Sequence, residues 1–406
     1  GHLNDVTVAK PIFSNGKLAA FAASTAHAPD IGGKVRSVVA KEIFEEGFQI
    51  PAMKLLDRGE VDLTFIRLLR AQVRTPDQTE GDLWAQLTGL ALMEARVSDL
   101  MTEYGLPDLT ERAMRAAMAA VPDGRYEASF DTDGFGGNPL HYQCAVTVEG
   151  DRIHVDLTGT SVQIPRAINC TFTYTFAMIS YALKSALLPD VPNNDGIFRC
   201  MEVTAPEGTI VNPRRPVAVG GRMATGHYLP ALVFQALAPV LPDKVMAACG
   251  SPLWSIIQTG VDKRGRTYAN TLFFNGGMGA LPTKPGESCY SWPSNISNVP
   301  VELVERNTPL FVHSKSLREG SGGGGLHPGG EGQEMVFESE SDTPIGMIFM
   351  AERLKYPARG LEGGGPGALG EVLIDGKPAD VRADHTLTLG QTITMRTPGG
   401  GGYGER

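Results

Sequence analysis

Apolar residues at helical spacing are concentrated in one block of this chain, between residues 34 and 121. They recur every third or fourth position, most regularly at Leu83, Leu87, Leu90, Met93, Val97, Leu100, Met101 and Tyr104. This spacing is typical of amphipathic helices. The block is expected to pause at Gly105 and Pro107, and one later helix is expected at residues 173–188. Because helices and strands are segregated rather than alternating, the pattern predicts an α+β fold and not a doubly wound parallel sheet.

Strand-like runs precede and follow the helical block. Residues 6–13 and 18–24 flank Asn15-Gly16, which favours a two-residue hairpin turn. Residues 142–148 and 153–157 flank a second turn at residues 149–152. We therefore expect three regions: a hairpin at 1–33, the helical block at 34–121, and a β-rich α+β region at 122–406 with Gly-rich loops toward its end.

Composition excludes several classes of protein. The formal net charge is −9 without any run of Lys or Arg, which argues against a nucleic-acid partner. The apolar stretch 229–241 is interrupted by Pro230 and Pro239 and is too short to span a membrane. The five cysteines lie far apart without a CxxC pair, so we expect free thiols in a reducing, cytoplasmic compartment.

The segment His2-Leu3-Asn4-Asp5, together with His27, offers two imidazoles and a carboxylate, a plausible donor set for a divalent metal. If Asn15 and Gly16 form the turn, paired positions sum to 31, which places Asn4 opposite His27. Strict alternation would then turn Asp5 to the opposite face, so joint ligation requires a bulge or non-strand geometry. Ordinary surface or capping roles are the alternative interpretation of these residues.

Gly-rich tracts at residues 320–325, 365–370 and 399–404 each match GxGxxG. None is expected between a strand and a helix, and the 365–370 tract runs into a strand-like segment, so a helix N-terminus for a pyrophosphate is missing. The sequence also lacks a P-loop motif. These glycines are therefore predicted to serve turns and close backbone packing.

Four further residues carry reactive groups. Cys249 could act as a nucleophile but has no identifiable base, so a buried thiol is favoured. His141 and His227 could act as general bases, although a single histidine is more often hydrogen-bonded within the structure. Asp156 ends a strand before a turn and is predicted to cap that turn.

Several segments together resemble the hydantoinase B/5-oxoprolinase family, and they are spread over nearly the whole chain. They are His2-Leu3-Asn4-Asp5-Val6-Thr7-Val8, His27-Ala28-Pro29-Asp30-Ile31-Gly32-Gly33, Val155-Asp156-Leu157-Thr158-Gly159-Thr160-Ser161, Pro192-Asn193-Asn194-Asp195-Gly196, Pro300-Val301-Glu302 and the tract from Thr397 to Gly404. The resemblance implies an enzyme subunit that opens hydantoins, 5-oxoproline or other lactams. Its partner would be an A-type subunit that holds ATP and magnesium.

The resemblance also implies site residues. The metal ligands of the family fall on His2, Asp5 and His27, with zinc expected first and manganese next, and Asp30 is expected to act as a base or to support the ligands. Two alternatives stay open: a subunit of an ATP-dependent acetone or acetophenone carboxylase, and a non-catalytic scaffold. Family members have a further segment before the HxxD motif, so we expect the natural N-terminus to lie upstream of Gly1.

Overall fold

The computed structural model describes residues 1–14, 16–34, 40–101, 106–250 and 254–406. Its helices are α1 Leu63–Gln72, α2 Pro76–Met101, α3 Leu106–Ala119, α4 Phe172–Leu187, α5 Met223–Gly226, α6 Leu229–Leu237 and α7 Val301–Asn307. Its strands are β1 Asp5–Ser14, β2 Lys17–His27, β3 Leu56–Asp57, β4 Glu60–Val61, β5 Gly124–Phe135, β6 Asn138–Glu149, β7 Arg152–Asp156, β8 Met201–Thr204, β9 Trp254–Val261, β10 Thr267–Phe274, β11 Leu310–Arg318, β12 Gly332–Ser339, β13 Ile345–Met350, β14 Glu371–Ile374, β15 Lys377–Pro378, β16 Asp384–Leu387 and β17 Thr392–Arg396.

The chain after residue 106 forms two large apolar cores. The first joins helices α3, α4 and α6 to the sheet β5-β6-β7-β8 and buries Tyr142, Ile179 and Leu232. The second lies between the sheets β10-β9-β13-β16 and β11-β12-β17-β14-β15 and buries Trp254 and Phe337. The predicted α+β class is confirmed. None of the described helices is both long and apolar enough to cross a membrane.

The predicted N-terminal hairpin is confirmed: β1 and β2 pair antiparallel. In the turn, Gly16 has φ of +73°, a conformation that glycine adopts at little cost, while Asn15 lies outside the described residues. Helix α2 holds the hairpin from one side. The side-chain nitrogen of Gln86 donates to the carbonyl of Val6 on β1 at 2.9 Å and to that of Ser24 on β2 at 3.0 Å.

The register of the hairpin differs from the prediction by one residue. Next to the turn, Phe13 faces Leu18, as predicted. A bulge then leaves Ala19 as an extra residue of β2, and beyond it the paired positions sum to 32. Asp5 therefore faces His27, and the predicted pairing of Asn4 with His27 is wrong. The bulge turns Asp5 and His27 to the same face, which an unbroken register would not do.

The helical block begins later than predicted. Residues 40–62 contain only the 3-10 turn Ile43–Glu45 and the short strands β3 and β4, so α-helix is absent there. Helix α1 begins after Asp62, whose carboxylate accepts hydrogen bonds from the amides of Thr64 and Phe65. Gly105 lies outside the described residues, and Pro107 lies in the first turn of α3. The predicted hairpin at 149–152 and the predicted helix at 173–188 are both confirmed, by β6–β7 and α4.

The Gly-rich tracts form a layer of closely packed backbone that we call the glycine stack: residues 276–280, 322–330, 358–367 and 398–404. Its segments bond to one another through the backbone. Gly400 donates to the Gly330 carbonyl at 2.9 Å, and the Gly400 carbonyl accepts from Gly323 at 2.8 Å. A Cβ on Gly400 would lie 2.0 Å from the carbonyl oxygen of Met278. The predicted role of these glycines in close packing is confirmed.

Candidate metal centre

The HxxD segment forms a tight turn at the open end of the hairpin. The Asp5 amide donates to the carbonyl of His2 at 3.1 Å. Asn4 fixes this turn to the end of β2, because its side chain donates to the Ala28 carbonyl at 2.9 Å and its own carbonyl accepts from the Ala28 amide at 2.8 Å. The turn therefore brings His2 back beside His27.

The three predicted ligands meet around the carboxylate of Asp5. One of its oxygens lies 3.0 Å from Nδ1 of His2, and the other lies 3.2 Å from Nδ1 of His27. The two imidazole rings stack with their centroids 4.9 Å apart. One donor atom from each residue lies within 4.8 Å of the others, so a single cation could contact all three.

The protonation of these groups suits a divalent metal. Burial lowers the pKa of His2 to about 3, which keeps the imidazole neutral and able to ligate, and its Nε2 is buried without a hydrogen-bond partner. Burial alone would raise the pKa of Asp5, but its contacts with the imidazoles of His2 and His27 and the charge of Arg222 outweigh burial and hold that pKa well below its usual range. Two imidazoles and one carboxylate are a common set for a catalytic metal that keeps positions open for substrate.

Arg222 lies against the same two ligands and was not predicted from the sequence. Its guanidinium donates to Nδ1 of His2 and, at 2.5 Å, to Asp5. The guanidinium carbon lies 4.7 Å from the ring centre of Tyr174, whose hydroxyl is 2.9 Å from Nε2 of His227. Arg222 is the only Lys, Arg, Asp or Glu between Pro216 and Pro242. A lone charge in so apolar a segment usually has a buried partner, and this feature could have identified it.

An open cavity of about 530 Å³ adjoins two of the three candidate ligands. His2 and Asp5 line it together with Thr7 and Thr25, which face each other across the hairpin. Arg214 and Arg215 contribute positive charge to the lining. A volume of a few hundred Å³ is the usual size of a site for a small organic molecule.

Over its whole length, residues 1–406, the chain matches the family model described as hydantoinase B/oxoprolinase. The chain belongs to this family. An uncharacterized protein of Methanocaldococcus jannaschii is 34% identical over 430 residues, which cover 100% of this chain and 74% of that protein. The B component of a putative D-/L-hydantoinase from Pseudomonas sp. (strain NS671) is 28% identical over 442 residues, which cover 100% of this chain and 74% of the relative.

The fold is also that of a solved member of the family. The crystal structure of the ATP-dependent caprolactamase from Pseudomonas jessenii superposes with a TM-score of 0.90 at 27% sequence identity. The match covers 100% of this chain and 75% of the caprolactamase chain. The α+β arrangement described above is therefore shared with this caprolactamase.

Asp30, the predicted base, is buried directly after the hairpin. Its carboxylate accepts hydrogen bonds from the Gly32 amide at 2.9 Å and from Arg74, through the Arg74 backbone amide and, at 2.8 Å, through its guanidinium. These contacts fix the loop that follows His27 onto the segment after α1. The role of Asp30 as a base stays a prediction, and its contacts support an anchoring role.

The other four candidate residues have structural partners. Burial raises the pKa of Cys249 to about 12, so it is a buried thiol, as predicted. Nδ1 of His141 lies 2.8 Å from a carboxylate oxygen of Asp131, and His227 contacts Tyr174 beneath Arg222. Asp156 accepts hydrogen bonds from the amide of Thr158 at 2.9 Å and from its hydroxyl at 2.7 Å. The predicted turn cap is confirmed.

Proposed function

We propose that this chain is the metal-binding catalytic subunit of an ATP-dependent hydrolase of cyclic amides. The observation that carries the proposal is the convergence of His2, Asp5 and His27 beside a cavity of about 530 Å³. Family membership supports it, as do the names of two relatives, a putative D-/L-hydantoinase component and an ATP-dependent caprolactamase. Hydantoins, 5-oxoproline and larger lactams are the proposed substrate class.

Zinc is the first choice of metal because of the two imidazoles, and manganese is the second because of the carboxylate. A divalent ion held by these residues would act as a Lewis acid toward a carbonyl oxygen. The chain itself supplies two imidazoles, an ionised carboxylate and a cavity that orients the ring beside them. Asp30 is proposed either to accept a proton or to hold the loop that follows His27.

ATP and magnesium are proposed to bind an A-type partner, so that the enzyme is a hetero-oligomer. The sequence lacks a P-loop motif, and its three GxGxxG matches fall in or beside the glycine stack rather than between a strand and a helix. Phosphorylation of an amide oxygen creates an activated amide that bulk water would hydrolyse, so the two subunits need a stable interface, of more than about 2,000 Å². The five cysteines are free thiols, which supports a reducing, cytoplasmic setting.

The metal assignment is tested by elemental analysis of two matched histidine variants. His27→Ala removes a candidate ligand, whereas His141→Ala removes a half-exposed histidine that also contacts an aspartate. We expect about one divalent metal per chain in the wild type and in His141→Ala, and almost none in His27→Ala. Equal metal content in all three proteins would contradict the assignment.

The reaction is tested with the chain alone and with its co-purified partner, using hydantoin, 5-oxoproline and caprolactam with ATP and magnesium. We expect turnover only with both subunits and ATP, and loss of turnover in His27→Ala. Turnover by the chain alone without ATP would contradict the two-subunit mechanism. Acetone or acetophenone consumed only when bicarbonate is present would favour the carboxylase alternative, and metal-free protein without activity would favour the scaffold.

A further inference from the structure

The guanidinium of Arg222 lies buried on two of the residues that are candidates to hold the metal. It donates to His2 and to Asp5, and its side chain is only 10% exposed. The flat face stacks on Tyr174, and Nε is buried without a hydrogen-bond partner. In a chain without a bound cation, Arg222 therefore neutralises Asp5.

A divalent cation changes the balance of charge at this centre. Asp5 contributes one negative charge and Arg222 one positive charge, so an ion with two positive charges leaves an excess of two. Glu46 is the next acidic group that interacts with Arg222, and it adds at most one negative charge. At least one positive charge then stays uncompensated in a largely buried place, where an unpaired charge is costly.

We propose that Arg222 is an anion-binding residue of the metal centre: it pairs with Asp5 when no cation is present and binds an anionic ligand, of the phosphate or carboxylate class, when a divalent cation is bound. The inference rests on the proposed metal site. A guanidinium suits this role because its donors form a fixed planar fork. An amide activated by phosphorylation would bring such an anionic group into the cavity lined by His2 and Asp5, the two residues that Arg222 contacts. Cation and anion then strengthen each other's binding by the same factor.

The test uses the chain with any partner that co-purifies with it, and two probes: cobalt(II), followed by its visible absorption, and inorganic phosphate. The variants are Arg222→Met, which removes the charge, and Arg222→Lys, which keeps the charge but loses the fork. Arg353→Met is the matched control, because Arg353 is also a buried arginine stacked on a tyrosine, 4.9 Å above the ring of Tyr228.

Without phosphate, Arg222→Met is expected to bind cobalt at least about tenfold more tightly than the wild type, since a competing cation is gone. Phosphate is expected to tighten cobalt binding by the wild type about tenfold or more, within the usual range of coupling between two sites. Arg222→Met should lose this coupling, Arg222→Lys should keep part of it, and Arg353→Met should behave as the wild type.

Every outcome of this experiment either supports or overturns the inference. Equal cobalt and phosphate affinities in Arg222→Met and the wild type would overturn it and leave the metal site standing. A wild type that binds no cobalt would overturn both this inference and the proposed function. If Arg222→Met does not fold, the wild type alone is decisive: cobalt affinities that are equal with and without phosphate, after correction for free cobalt phosphate, overturn the inference.

Discussion

At the scale of single residues, substitutions of Asp30 and of its partner Arg74 can distinguish an anchoring role of Asp30 from a catalytic one. Asp30→Asn removes the negative charge that pairs with Arg74, and Arg74→Met removes the partner while keeping the carboxylate. Because both variants break the charged hydrogen bond between the Asp30 carboxylate and the Arg74 guanidinium, we expect each to lower the free energy of unfolding by about 2 to 3 kcal/mol, measured by urea denaturation. Turnover per bound metal should be similar in the two variants. A loss of about 100-fold confined to Asp30→Asn would instead assign it the role of base.

The sequence identified the candidate ligands but not the residue that pairs with them. His2, Asp5 and His27 carry donor groups that are recognisable by type, and a hairpin accounts for the 22 positions between Asp5 and His27. Arg222 is 217 positions from Asp5, and its role depends on how the first core brings that segment to the hairpin. Residue type and local spacing cannot predict a contact between two residues that are so far apart in the sequence.

At the scale of structural elements, the hairpin shows what a local pattern can predict. Asn15-Gly16 correctly indicated the turn, because the turn depends on residues next to one another. The bulge at Ala19 involves residues that are ordinary for a strand, and it still changes which side chains share a face. Helix α6 was not predicted, because the chain after residue 188 was expected to form mostly short strands and turns; its Pro230 lies in the first turn, where proline is tolerated.

Glu46 links the segment after the hairpin to the loop that carries Arg222, since its carboxylate accepts a hydrogen bond from the Gly220 amide. Burial raises its pKa from 4.5 to about 7. Between these values the folded chain retains a proton that the unfolded chain releases, so stability falls as pH rises from 4.5 toward 7. Because Glu46→Gln stays neutral, we expect it to be more stable than the wild type at pH 8 by about 2 to 3 kcal/mol and nearly equal at pH 4.5.

Urea denaturation at these two pH values measures the effect of Glu46→Gln. Glu42→Gln, at an exposed position in the same segment, should follow the wild type at both. If Glu46→Gln and the wild type show the same change in stability with pH, the carboxylate is not the group responsible.

At the scale of the whole molecule, the glycine stack joins parts of the chain that are far apart in sequence. Met278 and Leu361, within the stack, pack against the first core. Next to the stack, a Cβ on Gly370 would lie 2.2 Å from the side chain of Trp254 in the second core. The two cores are therefore connected through glycine-rich backbone, and its hydrogen bonds run between segments rather than along one element. At most positions of the stack, such as Gly400, this packing needs glycine for space rather than for unusual dihedral angles.

A pair of alanine substitutions within the stack tests this dependence on space. In Gly400→Ala the new methyl would lie 2.0 Å from the Met278 carbonyl oxygen, so backbone on one side must move. In Gly324→Ala the methyl meets no atom within 4 Å. We expect Gly400→Ala to lower the free energy of unfolding by about 3 kcal/mol or more, since overpacking against backbone cannot relax through a side chain. Gly324→Ala should stay within about 0.5 kcal/mol of the wild type, as surface changes usually do. Thermal unfolding of both variants measures the difference, and equal midpoints would show that the stack tolerates side chains and does not require close contact.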